Sequence, residues 1–130
     1  MEQVGSHETG LDGPDVLILR LKGAVSLSEV RRINELHLKY GREAERLFYL
    51  VDLSELENLE PQVRREASEV IQNLPLHGTA IYGATLKAKV LAKLMLTAAR
   101  IMRGRDGNPV SFHDLESEAR DWINERRRLG

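Results

Sequence analysis

The sequence predicts one α/β domain with a mostly parallel, mixed sheet of four to five strands and about four helices packed around it. The first observation is the order of the segments, because short apolar runs alternate with stretches in which apolar residues recur at helical spacing. The second is punctuation, because Gly, Pro and Ser separate these segments. The third is size, because 130 residues suffice to bury the core of a single domain. Such alternation is typical of helices packed on a mainly parallel sheet.

The N-terminal elements are predicted from local signals. Residues 1–14 are polar and dotted with glycine, which predicts a flexible segment or one weak first strand ahead of a domain at 15–130. The apolar, β-branched run 16–21 predicts a strand that Gly23 ends. A helix follows, and we expect Gly41 to end it.

The remaining elements alternate in the same way. Ser26 or Ser28 is expected to cap the first helix. The near-continuous apolar run 47–51 predicts a central strand covered on both faces, and Pro61 opens the second helix at a favoured first position. The later elements are a strand at 79–83, a helix at about 87–103 that Thr85 can cap, a strand at 110–112, and a last helix with Leu115, Ala119, Trp122 and Ile123 on one side.

Composition excludes several classes of protein. Apolar residues make up 42% and charged residues 30% of the chain, which is typical of a globular domain. The absence of cysteine excludes disulfides and thiolate chemistry and favours a cytoplasmic setting. A formal net charge of -1 gives no general attraction to nucleic acid. The N-terminal residues do not form a signal peptide, and no apolar run predicts an integral membrane segment.

The stretch VDLSELENLEPQ, residues 51–62, predicts an acidic loop between a buried strand and a helix. One hypothesis is a phosphoaspartate receiver site, because Asp52 ends the strand. That chemistry needs a metal held by acidic groups after the first strand and a basic residue late in the sheet. Here the first strand ends at 21–23 in Leu-Lys-Gly and the last ends in Phe112-His113, so the receiver interpretation is excluded.

Hydrolytic and metal chemistry find no support in the motifs. Asp52, Ser54, His77 and His113 supply the residue types of a triad, but no Gly-x-Ser-x-Gly turn follows a strand. The four histidines are scattered and lack the paired spacing of metal ligands. We therefore expect no catalytic residue, no metal site and no cofactor.

Several residues together resemble the STAS domain. These are Asp52-Leu53-Ser54 after an apolar strand, the late strand VSF at 110–112, and the following helix with EARDWI at 118–123. The resemblance covers roughly residues 15–128. Within the family, the chain is most similar to the stand-alone bacterial branch grouped with anti-sigma-factor antagonists, which is likened to lipid-binding CRAL-TRIO domains. The resemblance implies a regulatory module that binds a protein partner.

The phosphorylation switch of that family does not transfer. Regulated members carry a phosphorylatable serine at the start of the helix after this strand, and the matching stretch here, residues 59–62, is Leu-Glu-Pro-Gln. Ser54 lies in the preceding loop, where a hydroxyl more often satisfies a backbone donor than accepts phosphate, and Ser68 lies inside the predicted helix. Regulation through either serine stays the less favoured alternative. Glu60 puts a permanent negative charge near the helix start. Our hypothesis is that the chain stays in one binding state.

Partner contacts are expected at the carboxyl ends of the strands, where open α/β sheets bind ligands. The residues predicted for partner or ligand binding are Asp52, Ser54, Glu55, Thr85, Lys87 and His113. The strand-to-helix turn at 83–89 also has the geometry that binds a small anion, although it lacks the glycines of a phosphate loop. An ordinary capped helix start with solvated lysines is the favoured interpretation of this turn.

The helix at 87–103 carries an apolar arc wider than one sheet face requires. Its cover is either the C-terminal helix with Trp122, a protein partner such as a second copy in a homodimer, or lipid. The residues predicted for a dimer or lipid surface are Leu91, Leu94, Met95, Ala98 and Met102. An alternative function follows, a carrier whose arc at 90–102 lines a pocket for an acyl chain while Lys87 or Lys89 meets the head group.

Overall fold

The computed structural model of the chain describes residues 1–103 and 107–129, with residues 98–103 by their backbone alone. Within these ranges the chain forms six strands and four helices, which confirms the α/β class and the mixed, mostly parallel sheet. In chain order they are β1 (Glu2–Val4), β2 (His7–Asp12), β3 (Val16–Ala24), α1 (Leu27–Glu43), β4 (Leu47–Asn58), α2 (Pro61–Ile71), β5 (Leu76–Tyr82), α3 (Leu86–Arg103), β6 (Val110–His113) and α4 (Glu116–Leu129).

The strands lie in the sheet in the order in which they occur in the chain. β1, β2 and β3 pair antiparallel, and β3, β4, β5 and β6 pair parallel. Buried residues of α1, α2 and α3 form one apolar cluster with one face of the sheet, which we call the three-helix face. Residues of α4 form a second cluster with the opposite face, the α4 face. The core is therefore divided by the sheet into two layers.

The N-terminal segment differs from the prediction of a flexible end or one weak strand. It forms β1 and β2, so the sheet has six strands where four to five were predicted. Gly5, with φ of 58°, supplies the left-handed turn between them. His7 and Thr9 point into the core and are 1% and 0% exposed. Because buried positions of β2 are polar, the segment lacks the apolar alternation that identifies a strand from sequence.

β4 is longer than predicted, because the acidic stretch after residue 51 continues the strand as far as Asn58. Arg20 of β3 pairs with Asp52, whereas Lys22 pairs with Glu55, so β4 carries one extra residue between these pairs. This bulge lets Leu53 and Leu56, three positions apart, both be buried. The prediction of a loop there was wrong.

The helix starts follow the predicted signals, whereas one helix end does not. Ser26 caps α1 in a capping box with Glu29, and α2 begins at Pro61. Gly41 does not end α1, which runs on to Glu43. A Cβ at Gly41 would lie 2.9 Å from Cδ2 of Leu74, so this glycine serves close packing and not a helix cap.

α4 does not cover α3, and that interpretation was wrong, because the two helices pack on opposite faces of the sheet. Trp122 packs over Gly78, where an added Cβ would lie 3.1 Å from Cζ3 of the indole. Ion pairs of 2.8 Å join Arg120 to Asp12 and Arg127 to Asp15, which ties α4 to the turn between β2 and β3. In the described part of the chain, none of the helices combines the length and the apolar character needed to cross a membrane.

Candidate functional site

A row of polar side chains crosses five neighbouring strands on the α4 face. The register pairs Glu8 with Arg20, Arg20 with Asp52, Asp52 with Tyr82, and Tyr82 with His113. Paired residues on adjacent strands point to the same face, so these five side chains form one line, which we call the polar row. Each of the four parallel strands contributes one member after its apolar run. The sheet thus gathers one polar group per strand near its carboxyl edge.

The first turn of α4 closes over the polar row. The Tyr82 hydroxyl donates a hydrogen bond of 2.9 Å to Oε1 of Glu116, and Nε of Arg120 donates one of 2.9 Å to Oε2. Nη2 of Arg20 lies 3.8 Å from Oε1 of the same carboxylate. The hydrogen bond from Arg120 lowers the pKa of Glu116. Burial, and then the bond to Glu116, raises the pKa of Tyr82 to about 12, so its phenol stays neutral near pH 7.

Asp52 is held by Ser54 at the β4 bulge. The Ser54 amide and hydroxyl donate hydrogen bonds of 2.9 and 2.7 Å to the same oxygen, Oδ1 of Asp52. Gly83 at the end of β5 packs against Ser54, since a Cβ there would lie 2.8 Å from Cβ of Ser54. The carboxylate of Asp52 therefore accepts the backbone amide two residues ahead, as in a local turn, and the Ser54 hydroxyl is its second donor.

The other predicted contact residues lie on two sides of the sheet. His113 belongs to the polar row, where its Nε2 lies 2.8 Å from Oγ of Ser111. Glu55 is exposed on β4 beyond the bulge. Thr85 accepts a hydrogen bond of 3.2 Å from the Ala88 amide and so caps α3, as predicted, and Lys87 is exposed in the first turn. The structure brings Asp52, Ser54 and His113 to the α4 face, but not Thr85 and Lys87.

Sequence reasoning missed Arg20, Tyr82 and Glu116. A signal for the first two exists, because each apolar strand run contains a polar residue near its carboxyl end, as in VLILR, YLVD, AIY and VSFH. If the strands are aligned at those residues, the sequence predicts that their side chains lie in one row across the sheet. No comparable signal marks Glu116, because the sequence does not specify which face α4 covers.

The outer side of α3 carries a line of exposed apolar side chains. Leu86, Val90 and Leu94 are 80%, 51% and 54% exposed, and their spacing of four residues places them on one side of the helix. We call these three residues the α3 stripe. Of the predicted dimer or lipid surface, Leu94 belongs to the stripe, whereas Leu91 and Met95 pack partly buried against the core. The side chains of Ala98 and Met102 lie outside the described ones.

Two small apolar cavities lie between the sheet and the three helices. Each has a volume of ≈ 40 Å³. The residues that line both are Leu19, Leu21, Tyr49, Leu59, Ile71 and Met95. Each cavity exceeds the roughly 10–15 Å³ that one water molecule requires, but apolar cavities of this kind generally stay empty.

A buried hydrogen-bonded chain forms part of the wall of one cavity. The Thr9 hydroxyl donates to the Ile18 carbonyl at 2.6 Å, so its oxygen accepts from Nε2 of His37 at 2.8 Å. The Tyr49 hydroxyl then donates to Nδ1 of His37 at 2.9 Å. Burial lowers the pKa of His37 to about 3 and raises that of Tyr49. His37 is thus a neutral core residue whose two ring nitrogens are both hydrogen-bonded.

His7 forms a second set of buried contacts, although it belongs to the segment that was predicted to be flexible or one weak strand. Its Nδ1 accepts a hydrogen bond of 3.0 Å from the Lys22 amide. The other ring nitrogen lies 3.2 Å from Oε1 of Glu29, the residue that completes the α1 capping box. His7 therefore fixes the N-terminal hairpin to α1 and to β3.

Neither a search for metal-binding side chains nor a comparison with known proteins identifies a further site. Among the residues that the structure describes, no group of three or more His, Asp or Glu side chains is placed to hold a metal ion. No family model matches the sequence, and no curated protein matches it.

Proposed function

We propose that the chain is a non-catalytic regulatory module that works by docking a protein partner, as its resemblance to STAS domains and anti-sigma-factor antagonists implies. The α3 stripe carries this proposal. Leu86, Val90 and Leu94 expose large apolar side chains in line, and such clustering is typical of interaction surfaces. The stripe begins beside Thr85 and Lys87, two of the residues predicted for partner contact.

The bonding within the polar row favours a non-catalytic function. A general acid or base must reach the proton that it transfers. Asp52 already accepts two hydrogen bonds from Ser54, and Tyr82 donates to Glu116. Glu116 in turn is bonded by Arg120. Asp52, Tyr82 and Glu116 are therefore engaged in structural hydrogen bonds, and the bond from Tyr82 to Glu116 holds the start of α4 on the sheet.

We further propose that the module remains in one binding state. Glu60 is the N-cap residue of α2, and its Oε1 accepts a hydrogen bond of 2.9 Å from Nδ2 of Asn58. Its carboxylate thus puts a fixed negative charge at the positive end of the α2 dipole. A kinase would add such a charge only conditionally. Phosphopeptide mapping that found Ser54 modified at substantial occupancy would contradict this proposal.

The alternative is a small-molecule or acyl-chain carrier, which the cavities beneath α2 and α3 favour. Ligand pockets commonly measure about 300–1,000 Å³. Each cavity here measures ≈ 40 Å³, so an acyl chain enters only if helices move away from the sheet. Protein docking needs no such rearrangement, and it is therefore the preferred function.

Site-specific crosslinking in cells that express the protein tests the proposed function. A photoreactive amino acid at Val90 is expected to form a covalent adduct with one protein. The matched control is the same amino acid at Glu125, an exposed residue of α4. Native mass spectrometry after mild purification provides the second readout. A persistent lipid adduct would favour the carrier, and turnover of a metabolite abolished by one substitution would contradict both.

A further inference from the structure

We infer that the α3 stripe receives an acidic amphipathic helix of the partner protein. The inference rests on the proposed function and adds the chemistry of the partner. Three observations support it: the length of the stripe, the charge on its two sides, and the poor fit of two competing occupants.

The length of the stripe suits a short helix. Leu86 and Leu94 are eight positions apart, which corresponds to about 12 Å, or slightly more than two helical turns. A partner helix that lies along α3 would present apolar residues at positions i, i+3, i+4 and i+7 to a surface of this kind. Leu86, Val90 and Leu94 would pack against that face as one continuous line.

The charged side chains of α3 that flank the stripe are all positive. At 3.6 residues per turn, Lys87 lies beyond Leu94 on one side and Lys93 lies beyond Leu86 on the other. Both lysines are exposed, and Nζ of Lys93 lies 5.5 Å from the centre of the Phe112 ring. The sequence has no acidic residue between Val70 and Arg105. A helix with Glu or Asp on both margins of its apolar face therefore complements this surface.

A second copy of the chain is a poor occupant. Packing two α3 helices against each other along their stripes would bring Lys87 and Lys93 of each copy close to the lysines of the other. Like charges in such an arrangement oppose association, and no acidic residue of α3 compensates them.

An anionic membrane is also a poor occupant. Glu55, Glu57 and Glu60 are exposed where β4 ends and α2 begins, at the sheet edge from which α3 also starts. Carboxylates at this edge would oppose the approach of an anionic surface by charge repulsion. The α3 sequence also contains no aromatic residue of the kind that anchors interfacial helices.

A pair of synthetic peptides tests the inference directly. Both are helical and share one apolar face, but one carries Glu and the other Lys on the margins. Calorimetric titration of the full chain is expected to show about tenfold tighter binding of the Glu peptide. The variant Lys87→Glu/Lys93→Glu is expected to reverse that preference. The control Lys39→Glu/Arg42→Glu makes the same charge change on α1 and should keep the wild-type preference.

A substitution in the stripe completes the test. Leu94→Ser is expected to weaken both peptides by at least about tenfold, while circular dichroism checks that the fold is retained. Equal affinity for the two peptides, or no binding at millimolar concentration, overturns the acidic partner. The acidic partner is also overturned if the chain binds phosphatidylserine vesicles and Leu94→Ser abolishes that binding. The same holds if the chain forms a dimer that Leu94→Ser dissociates. Protein crosslinking at Val90 together with equal peptide affinities would leave the docking function standing and reject only its acidic partner.

Discussion

The hydroxyl of Tyr49 on β4 donates a hydrogen bond of 2.9 Å to Nδ1 of His37 on α1, and the two rings meet edge to face with centroids 5.5 Å apart. Both side chains are buried, at 5% and 2% exposure. The pair joins the central strand to the first helix with the only proton that Tyr49 offers. His37 depends on that proton, because its other nitrogen is already committed to Thr9.

Replacing Tyr49 with Phe is expected to lower the free energy of unfolding by about 1–3 kcal/mol, since it leaves Nδ1 of His37 buried without a donor. Urea denaturation at pH 7 measures the change. Tyr40→Phe, at a partly exposed position of α1, is the control and should change stability by less than about 0.5 kcal/mol. Equal effects of the two substitutions would contradict the role assigned to this bond.

The low pKa of His37 predicts a loss of stability in mild acid. Burial lowers this pKa from 6.5 to about 3, so the unfolded chain binds a proton between these values while the folded chain does not. The free energy of unfolding therefore falls as the pH drops below 6.5, by up to about 1.4 kcal/mol per pH unit. Denaturation curves between pH 7 and 5 measure the slope.

The variant His37→Gln isolates this contribution, because it leaves the other three histidines in place. It is expected to be less stable at pH 7 but to show a shallower pH dependence between pH 7 and 5. That window stays above the range in which Asp15, Glu29 and Glu66, whose pKa values are lowered by hydrogen bonds, are protonated. Parallel slopes for the variant and the wild type would remove His37 as the source.

The contact between Gly83 and Ser54 predicts a difference between two glycine substitutions. Gly83 and Gly13 have nearly equal φ angles of 73° and 71°, so alanine at either position incurs a backbone cost of about 1–2 kcal/mol. At Gly83 the new Cβ would also lie 2.8 Å from Cβ of Ser54, whereas at Gly13 it meets nothing within 4 Å among the described atoms. We expect Gly83→Ala to lower the melting temperature more than Gly13→Ala. If the two shifts agree, the close approach has no energetic weight.

The cavity beside α2 predicts a stabilising substitution. Val63 is 3% exposed and lines this cavity, so Val63→Ile places one more methylene in empty space. Burial of that group contributes up to about 0.8 kcal/mol, and thermal unfolding should shift upward accordingly. Val4→Ile is the control, because Val4 is buried but is not among the described lining residues of either cavity. A melting temperature lowered by Val63→Ile would show that the space is not available.

Local signals predicted local structure well. Ser26 and Pro61 start helices because a capping hydroxyl and a fixed φ act within one turn, independently of the rest of the fold. The apolar runs predicted the positions of β3 to β6 and the order of the elements from β3 onward. Gly41 misled because glycine in a helix serves either as a stop or as a point of close packing, and only the position of Leu74 decides between them.

The missing parts depended on contacts between distant segments. The spacing of Leu53 and Leu56 fits no plain strand, and only pairing with β3 shows the bulge that buries both. The polar row can be recognised only from the register of five strands. Asp52 and His113 were therefore predicted as contact residues, whereas Arg20 of β3, which pairs with Glu8 of β2 and Asp52 of β4, was not. An amphipathic pattern also shows that α4 has an apolar side, but not which face of the sheet it covers.

α4 is the only helix on its face in the described part of the chain, and this has a consequence for synthesis. A nascent chain emerges from the ribosome with its N-terminus first, and domains generally fold as units during this process. Phe48 and Leu50 remain without their helical cover until the 14 residues of α4 have followed. Late translation is therefore the stage at which the polypeptide most needs a chaperone, and a premature stop before α4 would yield an aggregating fragment.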